Sequence, residues 1–301
     1  MKRAVGISIG SSKRDKSVEV TLLGERVSIE RIGTDGDMEA AALKYKELDG
    51  IADAFGVGGA DLGLMVDNKW YPLYSVRPMV RYVHKTPLVD GVGLKNTLEG
   101  QAAPFLEAHM AEYLNSHGRR VFVVSGADRW GMSSSFLNAG YECAFGDLMF
   151  GLGIPIALHS AQQLKTLAAI LMPIVGRLPF NWVYPTGAKQ EQRVPRFEKT
   201  YEWATVVAGD CHYIKRHMPD DMRGKVVVTN TTTPEDQKLF GDLGVKYLVT
   251  TTPVLDGRSF GTNMMEAALV AISGKGRPLQ RDEYTDLLAR LKLEPQLQEL
   301  N

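Results

Sequence analysis

The stretch Arg120–Asp147, RVFVVSGADRWGMSSSFLNAGYECAFGD, constrains this chain more than any other. Its apolar β-branched run, Val121–Val124, reads as a buried strand. Gly126 then turns the chain, a helix opens at the turn, and a second strand, Glu142–Phe145, runs into Asp147. Strand, helix, strand in that order is the building unit of a parallel sheet. In a dinucleotide fold the same order sets a phosphate at the helix N-terminus and a carboxylate on the adenosine ribose. Gly126 and Asp147 are 21 residues apart, close to the roughly 20 that such a carboxylate needs. Gly126 and Gly131 stand in the turn, Asp128 occupies the place of a second glycine, and Arg129 follows it. These four are the expected pyrophosphate contacts and Asp147 the ribose contact. An acid at that place favours NAD, while Arg129 beside the turn keeps NADP open. A plain βαβ unit without a nucleotide has the same layout.

The second half of the chain continues the alternation, with strands at Thr205–Gly209, Lys225–Thr229 and Tyr247–Thr251. Thr233-Pro234-Glu235-Asp236 is a helix start: a capping hydroxyl, proline in the first turn, then two acids at the positive end of the dipole. Ligands of open parallel sheets bind outside the carboxyl ends of the strands. Thr229, Asn230 and Thr231 fall at such an end and are expected on the nicotinamide side. The first third reads as a smaller α/β unit, closed by a helix over Gly100–Ser116 and stopped at Gly118. The predicted fold class is therefore α/β, a smaller N-terminal α/β domain followed by a Rossmann-like, mostly parallel sheet domain. The predicted boundaries are 1–117 for a substrate or catalytic domain, 118–272 for a nucleotide domain, and 273–301 for a helical tail. That tail is expected to pack back on the first domain or on a partner subunit, as in a homodimer.

Composition narrows the function classes. Thirty-five basic and 35 acidic residues cancel, which argues against binding nucleic acid or a membrane surface. Two distant cysteines, Cys143 and Cys211, make neither a disulfide framework nor a structural zinc site. A soluble cytoplasmic protein with a small-molecule substrate is the expectation. His212 and His217 lie five apart, off the i, i+4 face that a helical metal site uses, so no metal is expected and His217 reads as a solvent-facing helix residue.

Lys85–Gly100 holds the candidate acid–base group. A lysine whose pKa is lowered by burial, oriented by a carboxylate, moves a proton to or from a hydroxyl. Lys95 with Asp90 forms such a pair, and the Asn96 amide and Thr97 hydroxyl suit a polyol. A solvated surface lysine is the competing reading. Lys189, in YPTGAKQEQ, is a second candidate for acid–base work or carboxylate capture. Gly10–Lys13, after the first strand, has the glycine, serines and lysine of a phosphate loop without its GxxxxGK[ST] spacing.

Read together, VGISIGSSKRDKSVEV, ERIGTDGD, TPLVDGVGLKNTLE, YPTGAKQE and TTTPVLDGRSFGTNMMEAALVA resemble a bacterial family catalogued as quinate 5-dehydrogenases. The resemblance implies kinship with shikimate/quinate dehydrogenases, in which a catalytic domain precedes a Rossmann domain. DGRSFGTNMMEAAL is similar to the helix those enzymes place against substrate, with Glu266 where they carry Gln, so Asn263 and Glu266 become implied substrate contacts. In those enzymes the lysine precedes an Asn-Thr pair at a distance and an Asp follows; here Lys95 adjoins Asn96-Thr97 and Asp90 comes first. The resemblance implies an NAD- or NADP-dependent oxidoreductase acting on a cyclic polyol acid such as quinate. The competing classes are a non-redox nucleotide- or small-molecule-binding regulatory protein on the same scaffold, favoured by Asp128 in the turn, and an actin-like sugar phosphotransferase using Gly10–Lys13.

Overall fold

Two parallel sheets, each covered by helices on both faces, follow from where the β-branched runs fall. The computed structural model describes residues 1–184, 193–252 and 261–301, with the backbone of Val254–Leu255 and Arg258–Ser259. In the first third, β1 (Lys2–Ser8) leads through a hairpin of β2 (Lys16–Leu22) and β3 (Glu25–Gly33) to α1 (Met38–Leu48), which the Asp37 carboxylate caps by accepting from Ala40 N. Then come β4 (Ala54–Gly58), the small hairpin β5 (Gly63–Val66) and β6 (Lys69–Pro72), α2 (Arg77–Val80), β7 (Leu88–Val89), α3 (Val92–Thr97) and α4 (Ala102–His117). The sheet runs β2-β3-β1-β4-β7, parallel except for β2. Central β1 is buried over its last five residues, whereas edge strand β2 alternates, as its single covered face requires.

The second sheet grows from β8 (Arg120–Val123), α5 (Trp130–Asn138), β9 (Glu142–Phe145), α6 (Asp147–Leu152), α7 (Ala161–Val175), α8 (Phe180–Val183) and α9 (Glu198–Trp203). It continues with β10 (Val206–Gly209), α10 (Cys211–His217), β11 (Val226–Thr229), α11 (Pro234–Asp242) and β12 (Tyr247–Thr250). The two-residue strands β13 (Val254–Leu255) and β14 (Arg258–Ser259), α12 (Thr262–Ser273), α13 (Arg281–Leu291) and β15 (Gln296–Glu299) complete the chain. Its order is β15-β12-β11-β10-β8-β9, parallel except for β15. The strand order reverses between β8 and β10, the switch point of a Rossmann-like sheet. Leu106 and Phe136 cover one face, and Tyr201, Ile214 and Phe240 the other. The α/β class with a Rossmann-like second sheet is thus the architecture of the chain.

Three segments depart from the sequence reading. Helix α12, placed there with the nucleotide domain, packs on the first sheet with α13, in a core that joins Met265, Leu269, Leu94 and Leu288. It is buried almost all round, so it needs cover on every side. Glycines in β1 and β4 make the room: a Cβ on Gly6 would meet Met264 Cγ at 2.8 Å, and one on Gly56 would meet Asn263 O at 2.8 Å. Helix α7 also reaches the first sheet, where Ala168 and Met172 join Tyr45 and Met79. In the tail, the helix stops at Lys292, which takes φ 53°, and Pro295 bars its resumption. Residues Gln296–Glu299 then pair antiparallel with β12 and close the sheet edge.

Candidate functional site

The carboxyl ends of both sheets meet at one buried lysine. Gly91 adopts φ 103°, a left-handed conformation that turns the chain sharply from β7 into α3 and carries Lys95 inward. The Lys95 side chain is 7% exposed, and its Nζ donates to Asp61 Oδ1 at 2.8 Å and to Asp128 Oδ1 at 2.9 Å. Asp61 lies beyond β4 of the first sheet and Asp128 beyond β8 of the second. Burial alone would pull the ammonium down, but the Asp128 and Asp61 carboxylates overcome it and hold its pKa above the ordinary lysine range. The sequence expectation of a lowered lysine pKa is thereby corrected. Asp128 is held below the usual carboxylate range because Lys95 and Arg129 outweigh its burial.

Asp90, expected as the partner of Lys95, serves the backbone instead. Its carboxylate accepts from Leu62 N at 2.7 Å and Val92 N at 3.2 Å, so it pins the start of α3 to the chain after Asp61. Burial, with Asp61 nearby, pushes it up to about 6. Asn96 and Thr97 also turn inward: Asn96 Nδ2 donates to Val92 O at 3.0 Å and Thr97 Oγ1 to Gly93 O at 2.7 Å, each bonding the preceding helical turn. A different side chain completes the Asp61 side. The Tyr184 hydroxyl accepts from Asp61 N at 2.8 Å and faces Asp61 Oδ2 at 3.3 Å.

Arg129 carries the polar chain onward. It is 4% exposed and pairs with Glu99, with Asp128 at 3.2 Å and with Asp210 at 2.8 Å. Its guanidinium therefore neutralises buried carboxylates rather than offering itself to a phosphate. Asp210, at the end of β10, also accepts from Asn230 Nδ2 at 2.9 Å and caps α10 through His212 N. The Arg129–Asp210 pair thus spans the switch point between β8 and β10. Asn230 Oδ1 in turn takes the buried Thr229 hydroxyl at 3.1 Å and Cys211 N at 3.3 Å. Thr231 stands apart from this chain, on a cavity of about 120 Å³ lined with Thr232, Thr250, Thr252 and Gln298.

The glycine turn has roles other than those expected. Gly126 N donates to Asp147 Oδ2 at 2.9 Å and Ala127 N to Asp147 Oδ1 at 2.8 Å, so Asp147 closes the turn. Gly131 lets α5 lie against α3, because a Cβ there would collide with Lys95 O. The implied substrate contact Glu266 is 3% exposed and lies beneath α3, where Oε1 accepts from Gly93 N at 3.1 Å and Tyr284 Oη at 2.5 Å. Burial, with the Asp90 charge, pushes it up to about 8. Asn263, at the start of α12, packs its backbone on Gly56 and Gly91. Lys189 lies outside the described residues. His217 is buried rather than solvent-facing, bonded through Nδ1 to Val194 O at 2.8 Å and edge-on to Phe150. Gly10–Lys13 runs into a short 3₁₀ turn whose Ser12 amide and hydroxyl are taken by Asp35. Among the described residues no group of three or more His, Cys, Asp or Glu could hold a metal ion, and no helix is long and apolar enough to cross a membrane.

Sequence reasoning gave no role to Asp61, Tyr184 or Glu99, and took Asp210 only as one of the polar residues at a strand end facing the crevice. Asp61 had a usable signal, as the acid closing the strand-end Gly58-Gly59-Ala60-Asp61, and Asp210 the same one directly after Gly209. A family model described as Domain of unknown function (DUF8754) matches residues 93–300, and one described as Domain of unknown function (DUF8753) matches residues 3–90. No curated protein matches the sequence. Among solved structures, the chain is similar to an NAD-dependent malic enzyme from Thermotoga maritima, with 12% identity over 96% of this chain and 76% of that one, at a TM-score of 0.40. It is also similar to an Entamoeba histolytica malic enzyme, with 11% identity over 96% of this chain and 61% of that one, at a TM-score of 0.39. Likeness at this level speaks to neither ligand nor activity.

Proposed function

This chain belongs to the family described as Domain of unknown function (DUF8754), and we propose for it an oxidoreductase activity that interconverts a hydroxyl and a ketone, with NAD or NADP as the redox partner and a cyclic polyol acid such as quinate or shikimate as substrate. One observation carries the reading: a buried lysine ammonium, held by Asp61 and Asp128, at the junction of the carboxyl ends of two parallel sheets. The substrate class rests on the sequence resemblance.

The proton chemistry follows from the donors. An ammonium has three N–H groups, and among the described residues Asp61 and Asp128 take two of those on Lys95. The third is free to point at a substrate oxygen. With its pKa above the ordinary range, Lys95 stays charged at neutral pH. It is therefore a donor to a carbonyl oxygen and stabilises the negative charge that develops there as the carbon is reduced. The reverse direction starts from the neutral Lys95 amine that this donation leaves, and that amine takes the hydroxyl proton back. Asp61 and Asp128 fix the ammonium in place and keep it protonated. Their charges also turn the carboxylate of an acidic substrate away from Lys95.

The glycine turn does not fit the phosphates of the redox partner. Asp147 engages the Gly126 and Ala127 amides, and Arg129 is engaged by Glu99, Asp128 and Asp210. That observation favours the second reading, a regulatory protein that binds a small molecule without redox chemistry. The test is an absorbance assay for reduced nicotinamide with quinate, shikimate and a polyol panel, run beside heat-stabilisation by each dinucleotide. Turnover supports the oxidoreductase. The absence of both turnover and stabilisation sinks it in favour of the regulatory reading.

A further inference from the structure

In a dinucleotide fold the turn after the first strand offers its backbone amides to a pyrophosphate. Here the same amides already hold an anion. Gly126 N and Ala127 N each donate to a different oxygen of Asp147, at 2.9 and 2.8 Å. Asp147 opens α6 at the end of β9, where the ribose-binding acid of such a fold would stand, and its side chain reaches back across to the neighbouring turn. We infer that Asp147 is a built-in anion occupying the phosphate position of the turn between β8 and α5, and that it excludes phosphate groups from that position. The inference is independent of the reaction assigned to Lys95.

Three further observations agree. A Cβ on Gly126 would lie 2.7 Å from Phe145 Cδ1 and 3.2 Å from Asp147 Oδ2. The glycine that suggests room for a pyrophosphate thus makes room for a phenyl ring and a carboxylate. Arg129, the one cation of the turn, is buried among Glu99, Asp128 and Asp210. Helix α3 lies across the opening of α5, where Gly131 abuts Lys95 O. The amides, the cation and the approach to the helix end are all occupied by the chain itself.

The test follows the Gly126 and Ala127 amide resonances of the isotope-labelled full chain during titration with inorganic phosphate and then with NAD⁺. In the native chain both amides should ignore both ligands. In Asp147→Ala they should shift saturably with phosphate, with an affinity gain of about tenfold or more once the tethered competitor is gone. Asp147→Asn keeps one acceptor oxygen in the same shape and should gain less. A saturable shift of the two amides in the native chain overturns the inference, and so does a folded Asp147→Ala that gains no phosphate affinity. Should Asp147→Ala lose its fold, a folded Asp147→Asn whose amides still ignore phosphate overturns it. A failed dehydrogenase assay leaves this result untouched. Turnover accompanied by movement of both amides on NAD⁺ supports the oxidoreductase and defeats the tethered anion.

Discussion

Lys95 Nζ and Asp128 Oδ1, 2.9 Å apart, join α3 beneath the first sheet to the turn that leaves β8 in the second. Asp128→Asn should therefore act on stability as well as on the site. Lys95 then keeps Asp61 as its one carboxylate partner, and losing one charge-assisted bond to a buried ammonium costs about 1.5–3 kcal/mol. Urea unfolding should show a lower midpoint with an unchanged m-value. A midpoint equal to that of the native chain would mean that the pair carries no structural weight.

The Arg129–Glu99 contact should behave as a coupled unit. Arg129→Met strands Glu99, which is 1% exposed, and Glu99→Leu leaves Arg129 with Asp128 and Asp210 alone. Each single change should destabilise strongly, and the double variant should recover about 1–3 kcal/mol relative to their sum. Strict additivity in the unfolding free energies would contradict the pairing.

Stability should fall as pH rises from 6 to 8, because burial pushes Glu266 up to about 8. The folded chain then keeps a proton that the unfolded chain releases near the ordinary value of 4.5, so rising pH favours unfolding by up to about 1.4 kcal/mol per unit. Asp90 and Asp147, each pushed up to about 6, add the same sign of slope below that pH. Glu266→Gln should flatten the profile of melting temperature against pH between 6 and 8. An unchanged slope in that variant would show that Glu266 does not hold the proton.

A methyl group at Gly131 has nowhere to go. Gly131→Ala should displace α3 from α5 and cost about 1–3 kcal/mol or more, as overpacking does. Gly151→Ala, where a Cβ meets nothing within 4 Å, is the matched control and should be neutral. Equal melting temperatures for the two variants would contradict the close approach of α5 to Lys95.

What the sequence made legible was local. The strand, turn, helix and strand of 120–147 were readable because Val121–Val124, Gly126 and the apolar helix face carry their own signals. Lys95 was readable as a candidate because it follows a glycine-rich turn. Its partners were not, since Asp61 and Asp128 lie 34 and 33 residues away and only the packing of two sheets brings them in. Asp147 illustrates the same limit: its 21-residue spacing from Gly126 was visible, but not that the carboxylate would bond the turn itself. Helix α12 announced burial through its composition without saying against which sheet. Burial of Lys95 pointed to a lowered pKa on general grounds, and two unseen carboxylates reversed the sign.

The most direct test of the account compares the native chain with Lys95→Met in the nicotinamide absorbance assay on quinate, shikimate and the polyol panel, with far-UV dichroism to establish folding. The account predicts turnover by the native chain and a loss of about 10²-fold or more in kcat for a folded Lys95→Met. Native-like turnover by that variant, or none by the native chain on any substrate of the panel, would contradict it.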